Sequence, residues 1–199
     1  MDQDSPFYAR NSLSTTEDSL NAIVLLHESG GVDQITMSAV ARRLNMARSS
    51  IHQAHGNLTG FYVSLISLFS FRWYDWFSSG YGDPTPVRLP EEASDQVGVR
   101  VWSSLRAVAA AQAQAGIREP WDAVERVLGR ERRFLAAAIR DAHCSWPEPA
   151  TVGGLLALAD GLRTQMVSPV EPLALGDAST LVLGYWTDVL RLPPRSVDS

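Results

Sequence analysis

The chain has 199 residues, of which 45% are hydrophobic, so it can bury a core and is not a largely disordered protein. Its formal net charge is −5 and all 17 basic residues are arginine, which argues against wholesale attraction to polyanions. A single cysteine, Cys144, excludes an intrachain disulfide and fits a reducing compartment. Because no apolar run is long enough to span a membrane and Met1–Asp4 lacks a basic signal region, we expect a cytoplasmic protein without membrane partners.

Helical periodicity begins early in the chain. Residues 1–13 are polar and are expected to form a flexible arm. The run from Ser14 to Glu17 matches a capping box and predicts a helix that ends at the pair Gly30 and Gly31. Two short helical segments follow, over residues 39–44 and 46–53. A long helix is then predicted over residues 58–79, with aromatic side chains at helical spacing.

The second half of the chain is also predicted to be helical. Glycines and prolines indicate a loop over residues 80–90 and a turn over 146–149. Gly129 leaves open whether the 121–143 segment forms one helix or two. The other predicted helices cover residues 91–115, 151–166 and 177–192. Since no segment shows strand alternation, the fold is predicted to be all-α.

The two short helices carry the motif that points to a function. Thr36 is placed to cap the first helix, and Asn45 occupies a turn position that usually requires a positive φ. Val40, Leu44, Met46 and Ile51 are predicted to fill the space between the helices, and Ala41 must be small for their close approach. The second helix then exposes polar side chains from Arg48 to Gln53 that can hydrogen-bond bases or phosphates.

With three helices, a long fourth helix and a helical body, the chain resembles the TetR family of transcriptional regulators. The resemblance is strongest from Leu20 to about Leu65 and implies a helix-turn-helix DNA-binding domain over residues 14–57. Residues 58–199 would form a helical effector-binding and dimerisation domain. The implied function is a homodimeric, ligand-responsive regulator, a repressor by analogy, on a palindromic operator in double-stranded DNA. The implied DNA contacts are Thr36, Ser38, Arg48, Ser49, Ser50, His52, Gln53 and Asn57.

The sequence departs from the family pattern at positions that contact phosphates in the family. His52 stands where a phosphate-binding tyrosine is usual, and Leu58 stands where a lysine is usual. Residues 1–58 hold four arginines against six acidic residues. A second hypothesis is therefore a dimeric ligand-binding or protein-binding module of the same fold that has lost DNA binding.

Aromatic side chains of the body suggest an effector site. Each is more often a core residue than a ligand contact, but together they favour a cavity for a small apolar or aromatic effector. The candidate lining residues, from helices that surround the pocket in the resembled family, are Trp73, Trp102, Trp121, Phe134 and His143.

The last two predicted helices carry more apolar positions than one buried face requires. A second copy contributing the same pair would bury the surplus in an intermolecular four-helix bundle. Small residues such as Gly153, Gly154 and Gly161 would permit close approach. The alternative is that this face covers the core of the single chain. The predicted dimer contacts are Leu155, Leu158, Leu162, Leu183, Trp186 and Leu190.

The sequence gives little support for a metal site or a catalytic site. His52 and His55 share a helical face, but no third metal ligand is near them, so no metal site is expected. His143 and Cys144 are neighbours in the sequence. On a helix their side chains point about 100° apart, so they cannot form the hydrogen bond that a catalytic pair requires. With no phosphate loop and no nucleophile elbow, we expect neither an enzyme nor a cofactor.

Overall fold

A computed structural model describes residues 14–79, 85–142 and 148–192, apart from the side chains of residues 14–17, Ala54 and Glu148. Within these ranges the chain forms eight α-helices and no strand, which confirms the all-α prediction. The helices are α1 Ser14–Gly30, α2 Met37–Arg43, α3 Arg48–His55, α4 Leu58–Ser79, α5 Ala93–Gln114, α6 Glu119–Asp141, α7 Glu148–Met166 and α8 Leu175–Gly184. None of these helices is both long and apolar enough to cross a membrane. The predicted arm, residues 1–13, lies outside the described residues.

The sequence predicted some helix limits and missed others: the two short helices lie at Met37–Arg43 and Arg48–His55 rather than at residues 39–44 and 46–53. The first helix ends at Gly30, Gly31 follows with φ 75°, and α4 has the predicted limits. α5 begins at Ala93 rather than at Glu91, because the Asp95 carboxylate accepts the backbone N–H groups of Glu91 and Glu92. This is the acidic half of a capping box, and it fixes the start of the helix.

Gly129 does not interrupt α6, which is one continuous helix. α7 begins at Glu148, earlier than predicted, because Pro149 fits the first turn of a helix, where no backbone donor is needed. The last helix is shorter than predicted. α8 ends at Gly184 and a π-helical turn, Tyr185–Val189, follows it, closed by the Leu190 N–H on the Tyr185 carbonyl at 3.0 Å. This turn places Trp186 in the core.

The described chain divides into two compact units. One comprises the residues up to Arg72 together with Arg100–Val127, and the other comprises Trp73–Val99 and the residues from Leu128 onward. The core of the first unit is formed by aliphatic side chains of α1 to α3 and by aromatic side chains, among them Phe69 and Trp102, whose rings stack at 6.0 Å. The predicted limits of the DNA-binding domain, residues 14–57, remain a prediction.

The core of the second unit contains a buried arginine side chain. The Arg163 side chain on α7 is 2% exposed, and its guanidinium lies 3.6 Å from the Glu131 carboxylate, which is 1% exposed. The same carboxylate oxygen accepts the indole N–H of Trp73 at 2.8 Å. The guanidinium carbon lies 5.1–5.4 Å from the ring centres of Trp73, Trp76 and Phe77. Ion pairing and cation–π attraction together offset the desolvation of the two charges.

This arrangement predicts a characteristic mutational pattern. Arg163→Met or Glu131→Gln alone should lower the free energy of unfolding by about 3–5 kcal/mol, because each leaves a buried group without its counter-charge. The double variant Arg163→Met/Glu131→Leu should recover most of that loss, since it removes both desolvation costs. Urea denaturation of the three variants measures this. A double variant no more stable than the weaker single variant would contradict the prediction.

Candidate nucleic-acid interface

The two short helices form a helix-turn-helix. Thr36 caps α2, its hydroxyl oxygen accepting the Ala39 N–H at 3.1 Å, as predicted. Asn45 has φ 51°, which confirms the left-handed turn. Val40, Ala41 and Ile51 are buried between the helices.

Met46 does not fill the space between the two helices, contrary to the sequence analysis. Its backbone N–H is bonded to the Ala41 carbonyl at 2.9 Å, which fixes the turn, and its side chain is 36% exposed. Leu44 is half-buried. The turn is therefore held by backbone hydrogen bonds together with the buried Val40, Ala41 and Ile51.

The outer surface of α3 is polar. All eight residues predicted to contact DNA are exposed, so none is committed to the core. Ala47 precedes α3 and gives it no side-chain cap. Amides at a helix N-terminus are suited to bind phosphate oxygens.

The charge around α3 is more favourable to DNA than the composition of the whole chain indicates. Residues 34–60, which include α2, α3 and the start of α4, contain three arginines and no acidic residue. The three are Arg42, Arg43 and Arg48, and all are exposed. The acidic residues of the N-terminal region precede residue 34. Residues 34–60 therefore carry a formal net charge of +3.

Two contacts that the sequence analysis missed fix α4 to the motif. The buried Tyr62 hydroxyl donates to the Ile35 carbonyl at 2.9 Å, just before α2. Burial raises the pKa of Tyr62, so this hydroxyl keeps its proton. A Cβ at Gly60 would overlap the His55 carbonyl oxygen, so only glycine permits this approach between α3 and α4. Asn57 caps α4 by accepting the Gly60 N–H at 2.8 Å.

The two histidines of α3 have different environments. His52 is exposed, whereas the His55 ring meets Phe61 edge-on at 5.0 Å. Burial lowers the pKa of His55 from its usual 6.5, because the imidazolium would lose hydration. His55 is thus the histidine that packs against α4, and His52 is the exposed one.

The His55 environment predicts a pH-dependent stability. A lowered pKa in the folded state means that its contribution is present above pH 6.5 and is lost as the pH falls below that value. The stability advantage of the wild type over His55→Gln should therefore shrink between about pH 7.5 and about pH 5.5. Denaturant unfolding at both pH values measures it, with His52→Gln as the matched control for loss of a histidine. A constant difference would contradict the prediction.

The predicted effector residues are distributed over both units. Trp73 and Phe134 belong to the second unit, where Phe134 meets Phe77 edge-on at 5.2 Å. Trp102 and Trp121 belong to the first, and the Trp121 indole N–H donates to Glu125 at 2.9 Å. His143 lies outside the described residues. A role of these side chains in binding an effector remains a prediction.

The predicted dimer contacts fall into two groups when their exposure in the single chain is compared. Four of the six are covered by their own chain and serve its core: Leu155, Leu162, Trp186 and Leu190. Leu158 and Leu183 are half-buried. Gly154 does permit close approach, but its neighbour is the Tyr185 hydroxyl of the same chain. The apolar surface left on α8 includes Leu181, which is 52% exposed.

No protein-family model and no curated protein matches this chain. Among solved structures, it is similar to a crystal structure from Rhodococcus sp. of a protein assigned to the TetR family of transcriptional regulators. The TM-score is 0.64 and the sequence identity 17%, over 88% of this chain and 97% of the other. The chain therefore has a TetR-type fold.

Proposed function

We propose that this chain is a DNA-binding transcription regulator of the TetR family that acts as a homodimer in the cytoplasm and responds to a small apolar or aromatic molecule. The observation that carries the proposal is the exposed, acid-free surface of the helix-turn-helix. A TetR-type fold with a solvent-facing recognition helix is the arrangement by which such regulators enter the major groove.

The side chains of α3 support a division of roles. Arg48, His52 and Gln53 are exposed hydrogen-bonding groups that fit base edges. Thr36, Ser49 and Asn57 would bind phosphates, and Ser38 and Ser50 would add further contacts to the DNA. Thr36 and Asn57 also cap α2 and α4. Their contacts would therefore fix the helix-turn-helix on the DNA backbone, while α3 reads the sequence.

A dimer is part of the proposal because operator recognition by this motif uses two recognition helices about 34 Å apart. The surface that supports it lies on α7 and α8. Leu158 is half-buried, Gly161 is exposed with nothing within 4 Å of a Cβ position, and Leu181 is exposed. A second copy covering this surface would form an isologous contact.

Response to an effector would follow from differential binding. A ligand that binds one spacing of the two recognition helices more tightly shifts the dimer toward that spacing. α4 is suited to transmit such a change, because Tyr62 and Gly60 join it to the helix-turn-helix. A repressor is released from its operator when the favoured spacing no longer matches the DNA.

The DNA proposal is tested by selecting genomic fragments at low salt and measuring affinity across a salt series. Arg48→Ala should weaken cognate binding by about 1–3 kcal/mol more than random binding, if Arg48 reads a base. Arg43→Ala should weaken both about equally and reduce the salt slope by about one, as expected of a phosphate contact.

Arg118→Ala is the matched control, since Arg118 is exposed and pairs with Asp122 at 3.7 Å outside the helix-turn-helix. Equal losses for Arg48→Ala on cognate and random DNA would remove its base-reading role. If no genomic fragment binds at low salt, the chain is better explained as a dimeric ligand-binding or protein-binding module of this fold.

The dimer is tested by mass in solution. Light scattering at micromolar concentration should give twice the 21.8 kDa of one chain. Leu181→Glu should shift the mass toward one chain, because a charge would be buried in an interface of about 2,000 Å². Leu25→Glu is the matched control, since Leu25 is 44% exposed on α1. A single-chain mass for the wild type would contradict the dimer.

A further inference from the structure

The aromatic and acidic residues around Arg163 have the composition of a cation-binding site. The guanidinium carbon lies 5.4 Å from the ring centre of Trp73, 5.3 Å from that of Trp76 and 5.1 Å from that of Phe77. The Glu131 carboxylate lies 3.6 Å from the same guanidinium. All four side chains belong to the second unit and are at most 1% exposed. Together these four side chains form a cage around one cation.

The walls of the cage favour a cation over a neutral molecule. A cation within about 6 Å of a ring centre is attracted by the negative charge of the ring face, and tryptophan is the strongest aromatic partner. The Trp73 indole N–H donates to the Glu131 carboxylate at 2.8 Å, through the same oxygen that pairs with Arg163. A neutral molecule would leave this buried carboxylate without a counter-charge, so the cage selects for a positive charge.

Stability alone does not explain why a guanidinium fills the cage. Replacing a buried ion pair with apolar side chains of similar volume is often neutral or stabilising. Elsewhere the core of the second unit is built in that way, from side chains such as Leu135, Leu155 and Val182. Packing therefore does not require the charged pair, whereas recognition of a cation does.

Arg163 extends into the cage from the last turn of α7. Its Nε–H donates to the Arg88 carbonyl at 3.0 Å, in the segment that precedes α5. A free alkylguanidinium presents the same planar cation and the same N–H donors as an arginine side chain. The contacts that hold Arg163 would therefore also hold such a ligand once the arginine side chain is removed.

We propose that this cage is a binding site for small guanidinium cations and that Arg163 occupies it as an internal ligand. In the wild type the site is closed, because a tethered group competes at a much higher effective concentration than a free ligand. Trp73, one of the predicted effector residues, is then engaged by the chain itself. The proposal does not rest on DNA binding, since it concerns the second unit alone.

The test is chemical rescue of the full-length Arg163→Ala variant with ethylguanidinium, which has the same non-hydrogen atoms as the part of the side chain that is lost. We expect saturable calorimetric binding with one site per chain and a dissociation constant of roughly a millimolar, as suits a ligand with few atoms. At about ten times that concentration the melting temperature of the variant should rise by about 3–6 °C, because the ligand binds the folded chain. If Arg163→Ala is unfolded by itself, ethylguanidinium should restore its helical circular dichroism.

N-ethylurea is the matched ligand control, because it has nearly the same shape without the charge, and it should neither bind nor stabilise the variant. Arg163→Ala/Glu131→Gln should bind ethylguanidinium at least about tenfold more weakly than Arg163→Ala, since the counter-charge is removed. Arg132→Ala is the matched control variant, because Arg132 is the exposed neighbour of Glu131 and its loss opens no buried site. The wild type should not respond either, because its own guanidinium fills the cage.

The proposal is overturned if N-ethylurea stabilises Arg163→Ala as much as ethylguanidinium does. It is also overturned if Arg132→Ala or the wild type binds ethylguanidinium as tightly as Arg163→Ala does. Unchanged binding after Glu131→Gln is added, or no effect of ethylguanidinium on Arg163→Ala, whether that chain is folded or unfolded, would have the same consequence.

Discussion

The packing of the second unit depends on one constraint: the charged guanidinium of Arg163 is buried away from water. Arg163 can remain buried because Glu131 supplies a counter-charge and the electron-rich faces of Trp73, Trp76 and Phe77 supply further attraction. These partners come from α4 and α6, and Arg163 itself lies on α7, so one side chain fixes the relative positions of three helices. Its Nε–H also donates to the Arg88 carbonyl, which holds the segment that precedes α5 against the buried charge.

In the first unit the short helix α3 lies at the surface, with its polar side chains exposed. α3 has eight residues and gains little stability from its own length. It is held by Ile51, which is 3% exposed, by the contact of His55 with Phe61, and by the close approach that Gly60 allows. The whole inner side of α3 is thus used for attachment, which leaves its polar outer side available for a partner.

The sequence alone predicted the features that depend on local chemistry. Thr36 as a cap, Asn45 with a positive φ and the limits of α4 all follow from the preferences of single residues. It could not predict contacts between distant segments. Nothing near Arg163 indicates that Glu131 lies beside it, and nothing near Tyr62 indicates its bond to Ile35. For the same reason, the apolar residues of α7 and α8 could not be divided between the core and a dimer surface.

The net charge of the chain is a poor guide to its partners, because the charges are unevenly distributed. An overall charge of −5 coexists with an acid-free stretch from residue 34 to residue 60. Screening limits the reach of exposed charges to about 8–10 Å at moderate salt, so a DNA phosphate near α3 would feel Arg48 more than distant carboxylates.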